Sequence, residues 1–182
     1  MRWMLALLVL LAAGAHAVPA RAVLTPVVST IPLIDQRGER FTLAALRGHP
    51  VVMTFAATRC TDACPLANAV FAQLQRRLSA AHRDARLLTV TLDPRYDTPF
   101  VMARLATTMG ANSGRWILAS GAPGDVARFM RAYGVVAQAG KDGVPDVHST
   151  VIYLIDRRGR LAKRLLLSTA AADAVLSALP AL

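Results

Sequence analysis

Continuous apolar runs alternate along the chain with segments whose apolar residues return at helical spacing. Residues 51–57 are apolar and of strand length, as expected for a central strand buried on both faces. The segment from Pro65 to Leu78 repeats its apolar residues every three or four positions and predicts an amphipathic helix. A buried strand therefore leads directly into a helix.

The same alternation continues toward the end of the chain. It predicts strands over 87–93, 116–120 and 149–156, and helices over about 99–109, over 123–133 and from about Thr169. Asp97 is expected to cap the first of these helices, since Pro99 fits its first turn. Residues 134–147 are expected to form a long loop, and Arg158-Gly159 the tip of a closing antiparallel hairpin.

The residues before the central strand predict a hairpin and a linker. The turn sequence Asp35-Gln36-Arg37-Gly38 separates two short apolar segments and indicates an N-terminal β-hairpin. Residues 18–30 contain two prolines and no helical period, so an extended linker is expected there. The remaining 31–182 are long enough for one domain with a substantial core.

Helices alternating with buried strands indicate an α/β sandwich with a mainly parallel centre. A strand that delivers two cysteines to the start of a helix, followed at the chain's end by a hairpin and a helix, is thioredoxin-like. We therefore expect a thioredoxin-like three-layer sandwich with a mixed central sheet and an added N-terminal β-hairpin. Such sheets bind ligands at the carboxyl ends of their strands, where the cysteines lie.

Residues 1–17 have the pattern of a secretory signal peptide. Arg2 gives a positive start, 4–13 form an apolar stretch, and 15–17 form a small-x-small cleavage site. The apolar run is shorter than the ~20 residues of a spanning helix, which favours cleavage over an uncleaved membrane anchor. The mature chain is expected in the periplasm, a compartment that permits disulfides.

The charge of the chain limits the classes of partner that it is expected to bind. The formal net charge is +10, and only Lys141 and Lys163 of the 21 basic residues are lysines. Such a charge favours an acidic protein or an anionic membrane surface. Nucleic acid is not expected, because no recognition motif is present and aromatic residues make up only 5% of the chain. The densest basic cluster, within 157–164, is expected to be solvated surface.

Cys60 and Cys64 are the only cysteines of the chain, with three residues between them. They lie just before and at the start of the predicted helix, whose unpaired N–H groups favour thiolates, and Arg59 adds a positive charge beside them. Both sulfurs are therefore expected to be reactive. A structural staple is disfavoured, because cross-linking so small a loop removes little chain entropy. A redox couple and a metal site remain open.

A metal site would need a further ligand, because two thiolates alone hold a metal poorly. His49 is expected to be an exposed turn residue, and His82 lies at a predicted helix end where a polar group is ordinary. His148 opens the predicted strand over 149–156. Either a satisfied buried side chain or a metal ligand would fit that position.

Three segments together resemble the signatures of the Sco/SenC family. They are FAATRCTDACP at 55–65, TLDPRYDTP at 91–99 and HSTVIYLIDRRG at 148–159. Their order and spacing match those of the family, and the similarity runs from about Ile31 to about Leu166. The resemblance implies a thioredoxin-like fold, copper binding, and assistance in assembling the dinuclear copper site of cytochrome c oxidase.

Matched by motif, the resemblance implies that Cys60, Cys64 and His148 bind one copper ion. Two thiolates and one imidazole suit Cu(I), and with a further weak ligand they also hold Cu(II). A structural zinc site would want a fourth protein ligand. Asp62 is a candidate oxygen ligand for Cu(II), although its expected role is to face solvent or cap the helix.

The residues around the implied site differ in part from the family pattern. Asp93 and Asp97 are expected to shape the adjacent loop, and Arg59 to tune the thiolates. The family usually has Pro-Asp-Val between the cysteines, where this chain has Thr-Asp-Ala at 61–63. The acid that precedes the histidine in the family is displaced by one residue to Asp146, which weakens a second-shell role for it.

Two functional hypotheses follow. The first is a periplasmic copper metallochaperone that delivers copper to the copper-receiving subunit of cytochrome c oxidase or prepares that site, and that meets other periplasmic copper or thiol-redox proteins. The second is a thiol–disulfide oxidoreductase that keeps the cysteines of the oxidase site reduced, with Cys60 as nucleophile and Cys64 as resolving thiol. His148 discriminates between them, because thiol exchange alone does not require it.

Overall fold

The computed structural model describes residues 26–81, 83–139, 143, 145–147 and 150–182. The strands are Leu33–Asp35 (β1), Arg40–Phe41 (β2), Val51–Ala56 (β3), Arg86–Thr91 (β4), Trp116–Ser120 (β5), Ala137–Ala139 (β6), Pro145–Val147 (β7), Val151–Ile155 (β8) and Leu161–Leu166 (β9). The α-helices are Pro26–Ser29 (α1), Cys64–Ala80 (α2), Pro99–Met109 (α3), Pro123–Ala132 (α4) and Ala171–Ala178 (α5). Short 3-10 helices cover Leu43–Leu46 and Leu179–Ala181.

Seven of the described strands form one mixed sheet, in the order β2-β1-β5-β4-β3-β8-β9. The central strands β3, β4 and β5 are parallel, and β3 pairs antiparallel with β8 on its other side. The hairpin β1–β2 extends the sheet beyond β5, and the hairpin β8–β9 forms the opposite edge. This arrangement confirms the mixed central sheet and the added N-terminal hairpin.

The core lies on both faces of this sheet, because side chains of one strand point alternately to opposite sides. In β3, Met53 and Phe55 face a cluster that includes residues of α1 and α4, while Val52 faces a cluster built from α2, α3 and α5. All six residues of β3 are buried. The helices therefore form two outer layers around the sheet, which confirms the thioredoxin-like three-layer sandwich.

Two segments differ from the sequence expectation. The end of the predicted linker, Pro26–Ser29, forms one helical turn, and Val28 is buried in the core with only 5% of its surface exposed. The apolar side chain outweighs the local proline signal here. The predicted loop over 134–147 contains the separate ribbon β6–β7, whose strands pair antiparallel from Ala137 to Val147.

None of the helices in the described part of the chain is long and apolar enough to cross a membrane. The predicted signal peptide over 1–17 and residues 18–25 of the predicted linker lie outside the described residues.

Candidate functional site

The two cysteines lie at the junction between β3 and α2. The chain turns after Ala56, and the backbone N–H of Cys60 donates a 3.3 Å hydrogen bond to the carbonyl of Ala57. Cys64 is the first residue of α2, with Pro65 following it. The backbone N–H of Ala57 donates to the Sγ of Cys64 at 3.4 Å. The turn thus holds both sulfurs at the carboxyl end of the central strand.

The start of α2 is directed at Cys60. The cap residue Ala63 has no side chain that could accept from the first N–H groups of the helix. The backbone N–H groups of Asp62, Ala63 and Cys64 instead donate to the sulfur of Cys60. Burial opposes ionisation of Cys60, but the hydrogen bond from the Cys64 thiol and these N–H groups outweigh burial and lower its pKa.

Cys64 behaves in the opposite way, and the expectation of two reactive thiolates is wrong for this residue. Its surface is only 5% exposed. Burial, together with the hydrogen bond that its thiol donates to Cys60, raises the pKa of Cys64 to about 12. The N–H of Ala57 opposes this change without overcoming it. Cys60 is therefore the partly exposed thiol with the lowered pKa, and Cys64 is the buried thiol with the raised pKa.

A small depression of about 10 Å³ adjoins the partly exposed Cys60 and the buried Cys64. Beyond the cysteines it is lined by Phe55, Asp62, Ala63, Ala67, Leu92 and Thr150. Phe55 also forms part of a ring cluster, with centroids 6.0 Å from Tyr133 and 5.8 Å from Tyr153. The floor of the site is thus continuous with the packed core of the α4 face.

A buried carboxylate joins the cysteine turn to the β4–α3 loop. Asp97 is fully buried, and its Oδ2 accepts from the backbone N–H of Thr58 at 3.1 Å and from the hydroxyl of Thr91 at 2.6 Å. Its Oδ1 accepts from the hydroxyl of Thr58. The expectation that Asp97 caps α3 is wrong, because Thr98 is the cap and accepts from the N–H of Val101. Asp97 shapes the loop beside the cysteines instead.

A second link runs through Arg59. Its guanidinium donates to Asp93 Oδ2 at 2.6 and 3.2 Å and lies 4.4 Å from the centre of the Tyr96 ring. The hydrogen bond to Asp93 raises the pKa of Arg59 against a smaller effect of burial. Arg59 was expected to tune the thiolates, but it is not among the groups that shift the pKa of Cys60 most. Its charge is directed toward Asp93.

The predicted histidine ligand, His148, lies outside the described residues, as does His82. His49 is only partly exposed, and its Nδ1 lies 2.7 Å from Oδ1 of Asp84, so it is tied to a neighbouring loop. Asp62 is exposed at the turn and makes no side-chain cap of α2. The backbone of Asp146 pairs with Gln138 in the β6–β7 ribbon.

The comparison with known families decides the relationship suggested by the three motifs. The SCO1/SenC family profile matches residues 23–180. The chain belongs to the SCO1/SenC family. An SCO2-like protein of Rickettsia prowazekii is 30% identical over 146 residues, which cover 78% of this chain and 70% of that protein. An SCO1 homologue of Bacillus subtilis is 25% identical over 133 residues, covering 71% and 68%.

Solved structures of the SCO1/SenC family share the fold. ScoI of Bradyrhizobium japonicum, solved with copper bound, is 27% identical, with a TM-score of 0.69 over 81% of this chain and 96% of its own. A SCO1/SenC family lipoprotein from Bacillus anthracis is 22% identical, with a TM-score of 0.76 over 83% and 91%. At 22% identity, the second likeness shows the fold alone.

Within this SCO1/SenC domain, the described residues contain no group of three or more His, Cys, Asp or Glu side chains that could hold a metal ion. The described part of the implied ligand set is the pair Cys60 and Cys64. What this pair can do chemically follows from its asymmetry. Cys60 ionises more readily, which favours it as the nucleophile or first soft ligand, whereas Cys64 holds its proton more tightly.

Sequence reasoning missed the residues that hold the cysteine turn of this SCO1/SenC chain in place. Thr58 and Thr91 bind Asp97, and Phe55 forms the floor below the sulfurs. Thr58 and Phe55 stand inside the first motif and Thr91 opens the second, so the motifs contained the signal. Pairing them required the register of β3 and β4, in which Ala56 lies opposite Thr91.

Proposed function

We propose that this chain is a periplasmic copper metallochaperone that carries one copper ion on Cys60, Cys64 and His148. It would deliver that ion to the dinuclear copper site of cytochrome c oxidase. The observation that carries the proposal is the pair of neighbouring thiols at the carboxyl end of β3, of which Cys60 is partly exposed. A cargo ion bound there stays within reach of a partner.

The sulfur chemistry supports copper as the cargo. Thiolate is a soft ligand that selects Cu(I), and imidazole suits copper in either valence. Cys60 is poised to ionise, and Cys64 releases its proton when it takes up the ion. Copper uptake is therefore coupled to proton release and weakens as the pH falls.

Chain connectivity supports His148 as the third ligand. Thr150 lines the depression over the cysteines, and His148 is two residues before it in the sequence. Two residues of extended chain span at most about 7 Å. A ligand at position 148 would therefore be joined by a short segment to a residue that lines the depression.

Family membership supports the same cargo. The SCO1/SenC family comprises copper-binding proteins of cytochrome c oxidase assembly, and the Bradyrhizobium japonicum ScoI structure, which is 27% identical to this chain, holds copper. Delivery to the copper-receiving subunit would proceed by ligand exchange, in which a partner ligand approaches at the partly exposed Cys60 before a chain ligand leaves. The ordered turn keeps the two sulfurs together during that exchange.

The test is direct transfer. Copper-loaded chain is mixed with the copper-free soluble domain of the oxidase subunit, the two are separated, and copper is measured in each. The proposal predicts that copper moves to the oxidase domain, and that Cys60→Ser and Cys64→Ser chains carry no copper to transfer. Retention of copper by the chain, or equal loading of the oxidase domain from free copper and chaperone, would contradict it.

The unequal thiols also favour a second function, thiol–disulfide exchange with the oxidase cysteines. The Cys60 thiolate would attack a target disulfide, forming a mixed disulfide and releasing one target thiolate. Cys64 would then lose its proton and attack the Cys60 sulfur. The chain ends as the Cys60–Cys64 disulfide, oxidised by two electrons, and the target as a dithiol. Trapping of the mixed disulfide by Cys64→Ser tests this function, and absence of the adduct would contradict it.

The location rests on the leader over 1–17, whose pattern is that of an export signal. A fusion of these residues to a reporter that is active only outside the cytoplasm would show activity, and removal of the leader would abolish it. Mass spectrometry of the exported chain then distinguishes a cleaved signal from a retained membrane anchor.

A further inference from the structure

Arginines from separate stretches of the sequence meet at the end of the molecule opposite the cysteines. Four turns form this end, at 47–49, 83–86, 114–115 and 157–160. The first three lead into β3, β4 and β5, and the fourth follows β8. We call this surface the basic pole. Apart from Arg160, which pairs with Asp156 in its own turn, the arginines of this surface are Arg47, Arg83, Arg86, Arg115, Arg157 and Arg158.

Direct contacts tie the four turns together. Arg157 donates to the carbonyl of Gly48 at 2.6 Å, and the N–H of Gly48 donates to the carbonyl of Arg157 at 2.8 Å. Arg115 donates to the carbonyl of Arg83 at 2.6 Å, and Arg86 donates to the carbonyl of Gly114. Backbone carbonyls thus hold these guanidiniums on one surface, and as neutral acceptors they do not cancel the arginine charges.

Acidic groups offset only part of this charge. Asp84 lies 3.3 Å from Arg157 and also contacts His49, and Asp156 pairs with Arg160 inside its own turn. Arg47, Arg83 and Arg158 are exposed and form no ion pair within the described residues. The basic pole therefore carries a clear positive excess.

The pole is concave rather than flat. A cleft of about 430 Å³ is lined by Arg83 and Arg157, by the acidic Asp84, and by apolar residues that include Pro50 and Leu179. A neighbouring cleft of about 380 Å³ shares Arg157 and is lined by Arg158 and Arg160 together with Asp156, Ala181 and Leu182. Both clefts are large enough for a phosphate group with its attached glycerol, and guanidinium matches phosphate geometry with two parallel hydrogen bonds.

Large exposed apolar side chains are missing from these turns. Those of the described part are Tyr96, Phe100, Val136 and Leu166, and none belongs to the basic pole. Protein–protein interfaces usually depend on a few aromatic or apolar anchors at their centre. A spread of separate arginines without such an anchor matches the many separate phosphates of a lipid surface better than a folded acidic partner.

We propose that the basic pole binds the phosphates of an anionic phospholipid membrane. The binding is electrostatic and peripheral, because no apolar side chain of these turns inserts into the bilayer. The pole lies at the amino end of β3 and the cysteines at its carboxyl end, so the bound molecule presents the cysteine depression away from the lipid. This proposal stands independently of the copper function.

The test is vesicle binding by the full chain, with phosphatidylglycerol-containing vesicles compared with pure phosphatidylcholine vesicles. The neutral vesicles measure any contribution of the leader, and the ratio of the two affinities measures the contribution of charge. The variant Arg47→Gln/Arg83→Gln/Arg158→Gln removes three charges from the pole. The matched control Arg95→Gln/Arg104→Gln/Arg131→Gln removes three exposed charges outside it.

The wild-type ratio should be high in 50 mM salt and fall toward one in 500 mM salt, because salt screens the attraction. One arginine near an anionic surface contributes roughly fivefold in affinity, so the pole variant should lose on the order of 100-fold and the control much less. Equal losses in the two variants would overturn the proposal. Tighter pole-dependent binding to soluble polyglutamate than to vesicles of equal anionic charge would overturn it in favour of an acidic protein. Copper binding of the pole variant is measured alongside. Unchanged copper binding would show that the variant is folded and that the basic pole is separate from the proposed metal site.

Discussion

The Asp97 carboxylate accepts hydrogen bonds from both the backbone N–H and the hydroxyl of Thr58, two residues before Cys60. One oxygen also accepts from Thr91, so the buried carboxylate joins the end of β4 to the cysteine turn. Loss of an acceptor at such a position leaves buried donors unsatisfied. The geometry of the cysteines therefore depends on a residue that does not contact them.

Asp97→Asn should lower the free energy of unfolding by about 1–3 kcal/mol, because the amide replaces one accepting oxygen by a donor that faces donors. It should also weaken copper binding by loosening the turn. Urea unfolding and Cu(I) competition measure the two effects. Asp125→Asn is the control, because Asp125 pairs with the exposed Arg128 on the same helix. Equal effects of the two variants would show that the Thr58 contacts have no special role.

The pH dependence of alkylation should separate the two thiols. Because the pKa of Cys60 is lowered, its thiolate forms at lower pH than that of an ordinary cysteine, and its alkylation should begin at lower pH. Cys64, with a pKa of about 12, should stay unmodified through pH 10. Mass spectrometry after brief iodoacetamide treatment at each pH gives both profiles.

The Cys64 hydrogen bond can be tested in the same assay. Cys64→Ala removes the donor to Cys60 and should move the Cys60 profile to higher pH, whereas Cys64→Ser keeps a donor and should move it less. If the profile of Cys60 is the same in wild type and in both variants, the backbone N–H groups of the turn alone account for the lowered pKa.

Removal of the Arg59 side chain should destabilise the fold. Arg59→Leu leaves the Asp93 carboxylate, which is 8% exposed, without its cation and costs about 1–3 kcal/mol. Arg77→Leu removes the exposed pair with Asp173 and should cost under about 1 kcal/mol. Chemical denaturation of both variants checks this order. A Cys60 alkylation profile that shifts strongly in Arg59→Leu would contradict the conclusion that the Arg59 charge is directed toward Asp93.

Truncation of Phe55, which lines the depression at the cysteines, should lower both the stability of the fold and the affinity for copper. Phe55→Ala should cost about 3–5 kcal/mol and also weaken copper binding, because Phe55 forms the floor of the depression. Phe71→Ala removes a fully buried ring of α2 that packs on the opposite face of the sheet, and it should cost a similar amount. Copper affinity per folded molecule should fall only in Phe55→Ala. An equal fall of copper affinity in both variants would show that Phe55 has no specific role at the site.

Much of the fold was predictable from the sequence because the local signals agreed with the tertiary structure. The buried run over 51–57 became β3, the helical period after Cys64 became α2, and the Asp35–Gly38 turn became the N-terminal hairpin. The β6–β7 ribbon was missed because its strands are short and carry no alternating pattern. The α1 turn was missed because the burial of Val28 depends on α4, which lies far along the chain.

The two cysteines could be located from sequence, but their unequal chemistry could not. The helix start and Arg59 act on any cysteine at this position, and they suggested two similar thiolates. The actual pKa values depend on burial and on which thiol donates to the other, and both are tertiary facts. The basic pole could not be predicted from the sequence for the same reason, because its arginines come from four turns that meet only in the fold.

The central claim is that one copper ion is held by Cys60, Cys64 and His148. The most direct measurement is an anaerobic Cu(I) titration against a competing chelator, with wild type beside His148→Ala and His49→Ala. His49 is the control because its ring is engaged with Asp84 at the basic pole, far from the cysteines. We predict tight one-to-one binding that His148→Ala weakens by at least tenfold and His49→Ala leaves unchanged. Equal affinity of wild type and His148→Ala would contradict the three-ligand site and leave the cysteines as a redox pair.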